Sequence, residues 1–184
     1  MIKTVFLDRD GVINVHIPKG YVTKIDELSI LPGVGAAIKR LNEAGIQVAI
    51  ISNQQGVAKG LMTSEALTEV DEEMRKRLWN EDKAEITRSY YCVHHRDDGC
   101  ECRKPKGGQL RNAARDLSID LAESIFIGDS PTDIQAGRDG KVGQCALVLS
   151  GATKSFVRGK WHSEPDSVHR DLTAAIDWVL FENL

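Results

Sequence analysis

Five short, β-rich apolar runs, each followed by a helix-like stretch, constrain this chain more than any other feature. Ile2–Leu7, Ile46–Ile51, Ile86–Tyr91, Ser124–Ile127 and Ala146–Leu149 read as strands. Helices are expected over Val34–Ala44 (closed by Gly45), from about Thr63 to about Asn80, over Gln109–Leu117, from Pro131 onward and over Leu172–Phe181. In the long one, Leu67, Val70, Met74, Arg77 and Leu78 recur at roughly helical spacing. Strands joined through helices need right-handed crossovers. The expected fold class is therefore α/β: a doubly wound, mostly parallel sheet with helices on both faces, in a single domain over residues 1–184. The polar stretch Gly151–His169 has no assigned element.

In such sheets ligands gather beyond the carboxyl ends of the strands. Polar clusters do stand there: Asp8-Arg9-Asp10-Gly11 after the first strand, Ser52-Asn53-Gln54-Gln55-Gly56 after the second and Gly128-Asp129-Ser130 after the fourth. Charge narrows the partners. With 24 Lys and Arg against 27 Asp and Glu, the net charge is −3, which disfavours broad binding to nucleic acid or an anionic membrane. No apolar run approaches the ~20 residues of a membrane span. The opening MIKTVFLD, broken by Lys3 and ending in an acid, does not read as a signal peptide. A cytoplasmic protein, a monomer without nucleic-acid or membrane partners, is expected, in a compartment where disulfides are not. Of the four cysteines, Cys92, Cys100 and Cys102 crowd into one short segment while Cys145 stands apart at the start of an apolar run. The cluster points to metal.

Asp8 and Asp10 lie two apart where an extended run ends. Period-two geometry sends both carboxylates to one side and Arg9 to the other. Carboxylates at a strand tip can bind a hard cation, act as a nucleophile, or do both; Asp and Gly are also ordinary turn residues. The wider pattern bears on that choice. "FLDRDGVIN", Ser52 after the second strand, Lys104 in "CRKPK" and "IGDSPTD" with Asp129 and Asp133 together resemble, in order, the four motifs of the haloacid dehalogenase superfamily. The resemblance implies a phosphatase in which Asp8 becomes transiently phosphorylated. Asp10 would be the general acid and then base, and Ser52 and Lys104 would hold the phosphoryl oxygens. Mg²⁺ would sit on Asp8, Asp129 and the backbone carbonyl of Asp10. Asp133 is either a group supporting the metal site or a helix-start acid beside Pro131.

"YCVHHRDDGCECRKPK" offers Cys92, Cys100, Cys102 and an imidazole, a donor set that suits tetrahedral Zn²⁺. The family pattern places the ligand at His94 rather than His95. This loop, over about 92–105, resembles that of a capless subgroup of sugar-bisphosphate and histidinol-phosphate phosphatases, in which the zinc is structural. The gaps between motifs leave no room for a cap domain. Asn53, Gln54 and Gln55, in "SNQQGVAKG", resemble a family stretch whose amides bind sugar hydroxyls or backbone, and they are expected at the substrate. Arg103 is expected to grip a second anionic group, or else to neutralise the thiolate site. In Val15–Thr23, Gly20 would be the pivot with His16 or Lys19 facing substrate, unless this is a plain surface loop.

The subgroup implies a small phosphorylated sugar as substrate, D-glycero-D-manno-heptose 1,7-bisphosphate cleaved at the 7-phosphate. A phosphorylated amino alcohol, histidinol phosphate, is the alternative, and a non-enzymatic phospho-receiver domain a remote one. Two departures bear on the sugar: Ser130 stands where heptose phosphatases often have Lys, and Gly107-Gly108 where Pro-Gly is usual.

Overall fold

The computed structural model describes residues 1–182. Six parallel strands form one sheet in the order β3-β2-β1-β4-β5-β6. They are β1 (Thr4–Leu7), β2 (Gln47–Asn53), β3 (Arg88–Cys92), β4 (Ser124–Gly128), β5 (Gln144–Val148) and β6 (Ser167–His169). The helices are α1 (Val34–Glu43), α2 (Ser64–Asp82), α3 (Gly108–Leu117), α4 (Pro131–Gly140) and α5 (Leu172–Glu182). The doubly wound parallel sheet is as expected, and no separately folded cap interrupts the described residues.

Strand alternation divides the core in two. Val5, Leu7, Val48, Ile50, Ile125 and Ile127 point to the face covered by α1, α2 and α5. Phe6, Ala49, Ile51 and Phe126 point to the other, under α3 and α4. Both faces of the central strands are thus dry, which is why they read as continuous apolar runs. α2 is held by one stripe, Leu67, Val70, Met74 and Leu78, all buried. Each of those side chains contributes about 1.5–3 kcal/mol of burial. Its start is fixed by Thr63, whose Oγ1 accepts from Ala66 N–H at 3.1 Å.

Two element boundaries differ from expectation in ways that matter. β2 runs on through Ser52 and Asn53, because both pair in register with β3 (Ser52 with Tyr91, Asn53 with Cys92). β6 lies inside the unassigned polar stretch. Three half-buried residues at a sheet edge carry too little periodicity to be read. No helix among the described residues is long and apolar enough to cross a membrane.

Strand order reverses at β1, which lies between β2 and β4. The crevice beyond the carboxyl ends of β1 and β4 is the ligand position that this topology favours.

Candidate active site

That crevice holds Asp8, directly after β1, and Asp129, directly after β4. Asp133, on the first turn of α4, joins them: one carboxylate oxygen from each of the three lies within 4.8 Å of the others. Lys104 reaches them from the loop before α3. Its ammonium is 3.0 Å from Asp8 Oδ1 and 2.6 Å from Asp133 Oδ1, and it donates to Ile51 C=O at 2.9 Å. Lys104 is 4% and Asp133 0% exposed, so these charges meet out of water.

Three carboxylates against one ammonium leave the centre short of positive charge. Burial, then the neighbouring Asp133 and Asp10, push Asp8 up to about 6 despite Lys104. Burial, Asp133 and Asp8 push Asp129 up to about 8. Lys104 is desolvated too, but the Asp133 and Asp8 charges outweigh that and hold it protonated, above its usual range. Clustered hard oxygen donors with excess negative charge fit a divalent cation such as Mg²⁺. The residues that would hold it are Asp8 and Asp129, with Asp133 close by. Of the two roles expected of Asp133, the helix-start acid is the one seen: its Oδ2 accepts from Asp129 N–H, Ser130 N–H and Ser130 Oγ–H at 3.1, 3.0 and 2.6 Å, capping α4. Ser130 is occupied in that cap.

The chain packs tightly over this centre. Gly11 has φ +89°, and a Cβ there would strike Asp129 Oδ2 and come within 2.7 Å of Gly151 Cα. Ala152 N–H donates to Asp129 Oδ2 at 2.5 Å and Ser150 Oγ–H to Gly11 C=O at 2.7 Å. Ser150, Gly151 and Ala152 were missed from the sequence, although they follow the fifth strand as the other clusters follow theirs.

Asp10 is not the third carboxylate of the centre; the expectation for it as a metal ligand concerned its carbonyl. Its carboxylate is held by Arg9 Nη2 at 3.1 Å, Asn14 Nδ2 at 2.8 Å and Gln54 Nε2 at 2.7 Å. Burial alone would raise it, but Arg9 and the hydrogen bonds from Asn14 and Gln54 hold it below its usual range. Arg9 therefore does not point away as alternation suggested. It is 0% exposed, bonded to Asp10 and Gln54 Oε1, with its guanidinium 5.7 Å from the Tyr91 ring centroid. The strand has ended at Leu7. Ile13 and Asn14 N–H already bond back to Arg9 C=O, so period-two geometry no longer applies. Asn14 was also missed.

The amide cluster is engaged within the protein. Gln54, 0% exposed, bridges Asp10, Arg9 and Ser52 Oγ, a correction to its expected place at sugar hydroxyls. Asn53 is bonded to the Lys104 main chain, the backbone alternative of the two partners expected. Gln55 accepts from Arg103 Nη2 at 3.3 Å and lines a cavity with Lys59, His95 and Arg96. Ser52 is 2% exposed and bonds Asp8. Arg103 and Lys104 open onto a cavity of ≈ 370 Å³ also lined by Arg96, Lys106 and Thr132. Its cationic wall suits an anionic group. Arg96 and Lys106 were not singled out in the sequence, where their loop read as structural. Lys19 lies on another cavity of ≈ 370 Å³ with His16, Ser150 and Lys154. The left-handed turn residue is Lys19, φ +59°, not Gly20; Gly20 is required because a Cβ would come within 2.6 Å of Ile17 Cγ2.

Beside Lys104, Cys92, His94, Cys100 and Cys102 converge with their ligand atoms all within 4.8 Å. The sulfurs are 3.2–3.7 Å apart and His94 Nδ1 is 3.1 Å from Cys102 Sγ. Tetrahedral zinc with Zn–S near 2.3 Å needs sulfurs about 3.8 Å apart, so the donor set fits. Burial and the neighbouring thiols push Cys102 up to about 12, a penalty a cation removes. His95 instead caps the turn Arg96–Asp98.

Residues 2–140 match the haloacid dehalogenase-like hydrolase family. The chain belongs to this family. Within it, the chain is 40% identical over 175 residues to the D-glycero-beta-D-manno-heptose-1,7-bisphosphate 7-phosphatase of Pseudomonas aeruginosa, covering 95% of this chain and 96% of that one. It is 36% identical over 157 residues to the Haemophilus influenzae enzyme of that name, covering 82% and 84%. A solved family structure, D,D-heptose 1,7-bisphosphate phosphatase from B. bronchiseptica complexed with magnesium and phosphate, superposes with TM-score 0.89 at 35% identity, covering 97% and 98%.

Proposed function

We propose that this chain is a Mg²⁺-dependent phosphatase that removes the 7-phosphate of D-glycero-D-manno-heptose 1,7-bisphosphate through a phospho-aspartyl intermediate on Asp8. The observation that carries the chemistry is Asp8 at the tip of β1, its carboxylate beside the Lys104 ammonium and two further acids. Relatives similar along most of the chain support the sugar.

An Asp8 oxygen forms a bond to phosphorus as the ester P–O bond breaks, and the departing alkoxide takes a proton from Asp10. Water then attacks the acyl phosphate and gives its proton to Asp10, freeing Asp8 and orthophosphate. The resting structure holds Asp10 ionised, as the second step requires. A phosphate dianion arriving nearby raises its proton affinity, so that Asp10 takes from solvent water the proton it gives up in the first. Lys104 and Ser52 hold phosphoryl oxygens. Mg²⁺, when bound, neutralises charge so that an anion can approach an anion.

Zn²⁺ on Cys92, His94, Cys100 and Cys102 would stiffen the loop carrying Arg103 and Lys104. Arg103, with Arg96, faces the remaining phosphate, and Gln55 and Lys19 flank the substrate. Phosphate release with Mg²⁺ from heptose 1,7-bisphosphate, fructose 1,6-bisphosphate and histidinol phosphate tests the proposal. A preference for the heptose of at least about twentyfold, about 1.8 kcal/mol of transition-state binding, is expected. Equal or greater turnover of histidinol phosphate overturns the sugar assignment.

A further inference from the structure

Asn53 occupies a junction. As the last residue of β2 it pairs with Cys92, the first ligand of the Cys/His cluster, and the next residue, Gln54, donates its N–H to Cys92 C=O at 2.7 Å. Its side chain points at the other end of that loop. Asn53 Nδ2 donates to Lys104 C=O at 3.0 Å, and Lys104 N–H donates to Asn53 Oδ1 at 3.0 Å. The carboxamide thus pairs with one residue's main chain as a neighbouring strand would. Gln109 Nε2 completes the arrangement, donating to Cys102 C=O at 2.9 Å and to Asn53 Oδ1 at 3.4 Å.

We propose that Asn53 is a positioning residue that ties the Cys/His metal loop to the Lys104 ammonium, rather than a substrate ligand. The role assigned to Lys104 rests on the phosphatase reading above. The tie itself rests on the contacts alone. Both polar ends of the carboxamide are committed to Lys104, and the Lys104 side chain leaves that fixed main chain to reach Ile51 C=O, Asp8 and Asp133. With the backbone of residue 104 released, the buried ammonium shifts against all three partners, and the Cys102 end of the loop, two residues away, loosens with it. A displacement of about 1 Å at such a group can cost about 100-fold in rate.

The experiment uses the full chain loaded with Zn²⁺ and Mg²⁺ and has two arms. In the first, Asn53→Ala lowers kcat by about 10- to 100-fold and by the same factor for the sugar bisphosphate and for p-nitrophenyl phosphate, with KM nearly unchanged. A loss confined to the sugar substrate and to its KM would make Asn53 a sugar ligand and overturn the proposal. In the second arm, capture of zinc by 4-(2-pyridylazo)resorcinol is timed. Release becomes about tenfold faster in Asn53→Ala, while Lys104→Ala, which keeps the clamped main chain, releases zinc as the wild type does. Unchanged release in Asn53→Ala also overturns it. Asn53→Asp keeps the acceptor for Lys104 N–H and loses the donor, so both effects are smaller in it than in Asn53→Ala, and it is measured in the same two arms should the alanine variant not fold. If the wild type hydrolyses no phosphate ester, the phosphatase reading fails, yet zinc release still decides the tie.

Discussion

Asp8 carries a cost that the proposed chemistry explains. Nine per cent exposed and facing Asp133 and Asp10, its carboxylate is held against desolvation and like charge, with Lys104 as compensation. Asp8→Asn keeps the shape and removes the charge, so the metal-free variant should melt no lower than the wild type while phosphate release falls about 10⁴-fold or more. Thermal melting and a phosphate-release assay read the two halves, and an active asparagine enzyme would remove Asp8 as nucleophile. Arg9 is the second residue to test. Its fully buried guanidinium is the cationic partner of Asp10, and removing one partner of such a pair costs about 3–5 kcal/mol. Arg9→Met should lose about that much in urea unfolding; a loss under about 1 kcal/mol would mean that water compensates Asp10. The meeting of Asp8, Ser52 and Asp129 was legible in the sequence because each sits in a compact motif at a strand end, whereas Lys104, far along the loop after β3, was placed only by the motif it resembles. Arg9 was not. Its role depends on the chain turning directly after β1, which alternation cannot report.

The loop 92–105 holds only short turns, one capped by His95 and Asp98 and one closed by Lys106 N–H on Arg103 C=O at 2.9 Å, so its shape depends on the four converging ligands together with the Asn53 and Gln109 contacts to residues 104 and 102. Cys100→Ser should lose bound zinc and lower the thermal midpoint together. Elemental analysis beside a melting curve checks this, and full zinc content in the variant would contradict the ligand set. Regular elements were legible where burial imposed a period: the α2 stripe and the two-sided central strands. The partners of Asn53 and Gln54, at the end of β2, stayed open for a related reason. Carboxamides suit a polyol and a peptide equally well, and only the fold, bringing residue 104 beside residue 53, shows which they meet.

Across the whole molecule the sheet separates chemistry from support. Charge gathers where β1 and β4 end, while α5 closes the larger core and β6, at the sheet's edge, packs Val168 against Ile134, Cys145 and Leu147. His169 ends β6. Its ring lies 5.4 Å from the Trp178 ring on α5, and its Nε2 hydrogen-bonds with Ser167 Oγ at 2.9 Å. Burial lowers its pKa from 6.5, only partly offset by the charges of Glu182 and Asp171. A base with a folded-state pKa below its unfolded value binds its proton first in the unfolded chain, so acid favours unfolding. The contribution of His169 to stability is therefore complete above pH 6.5 and is lost as pH falls below it. His169→Gln removes that titration while keeping a polar side chain of similar reach. Between about pH 7.5 and pH 5.5 the wild type should lose more of its urea midpoint than the variant does, the interval spanning the ordinary histidine pKa. Equal losses would mean that the junction of β6 and α5 opens enough in the native state to leave His169 solvated.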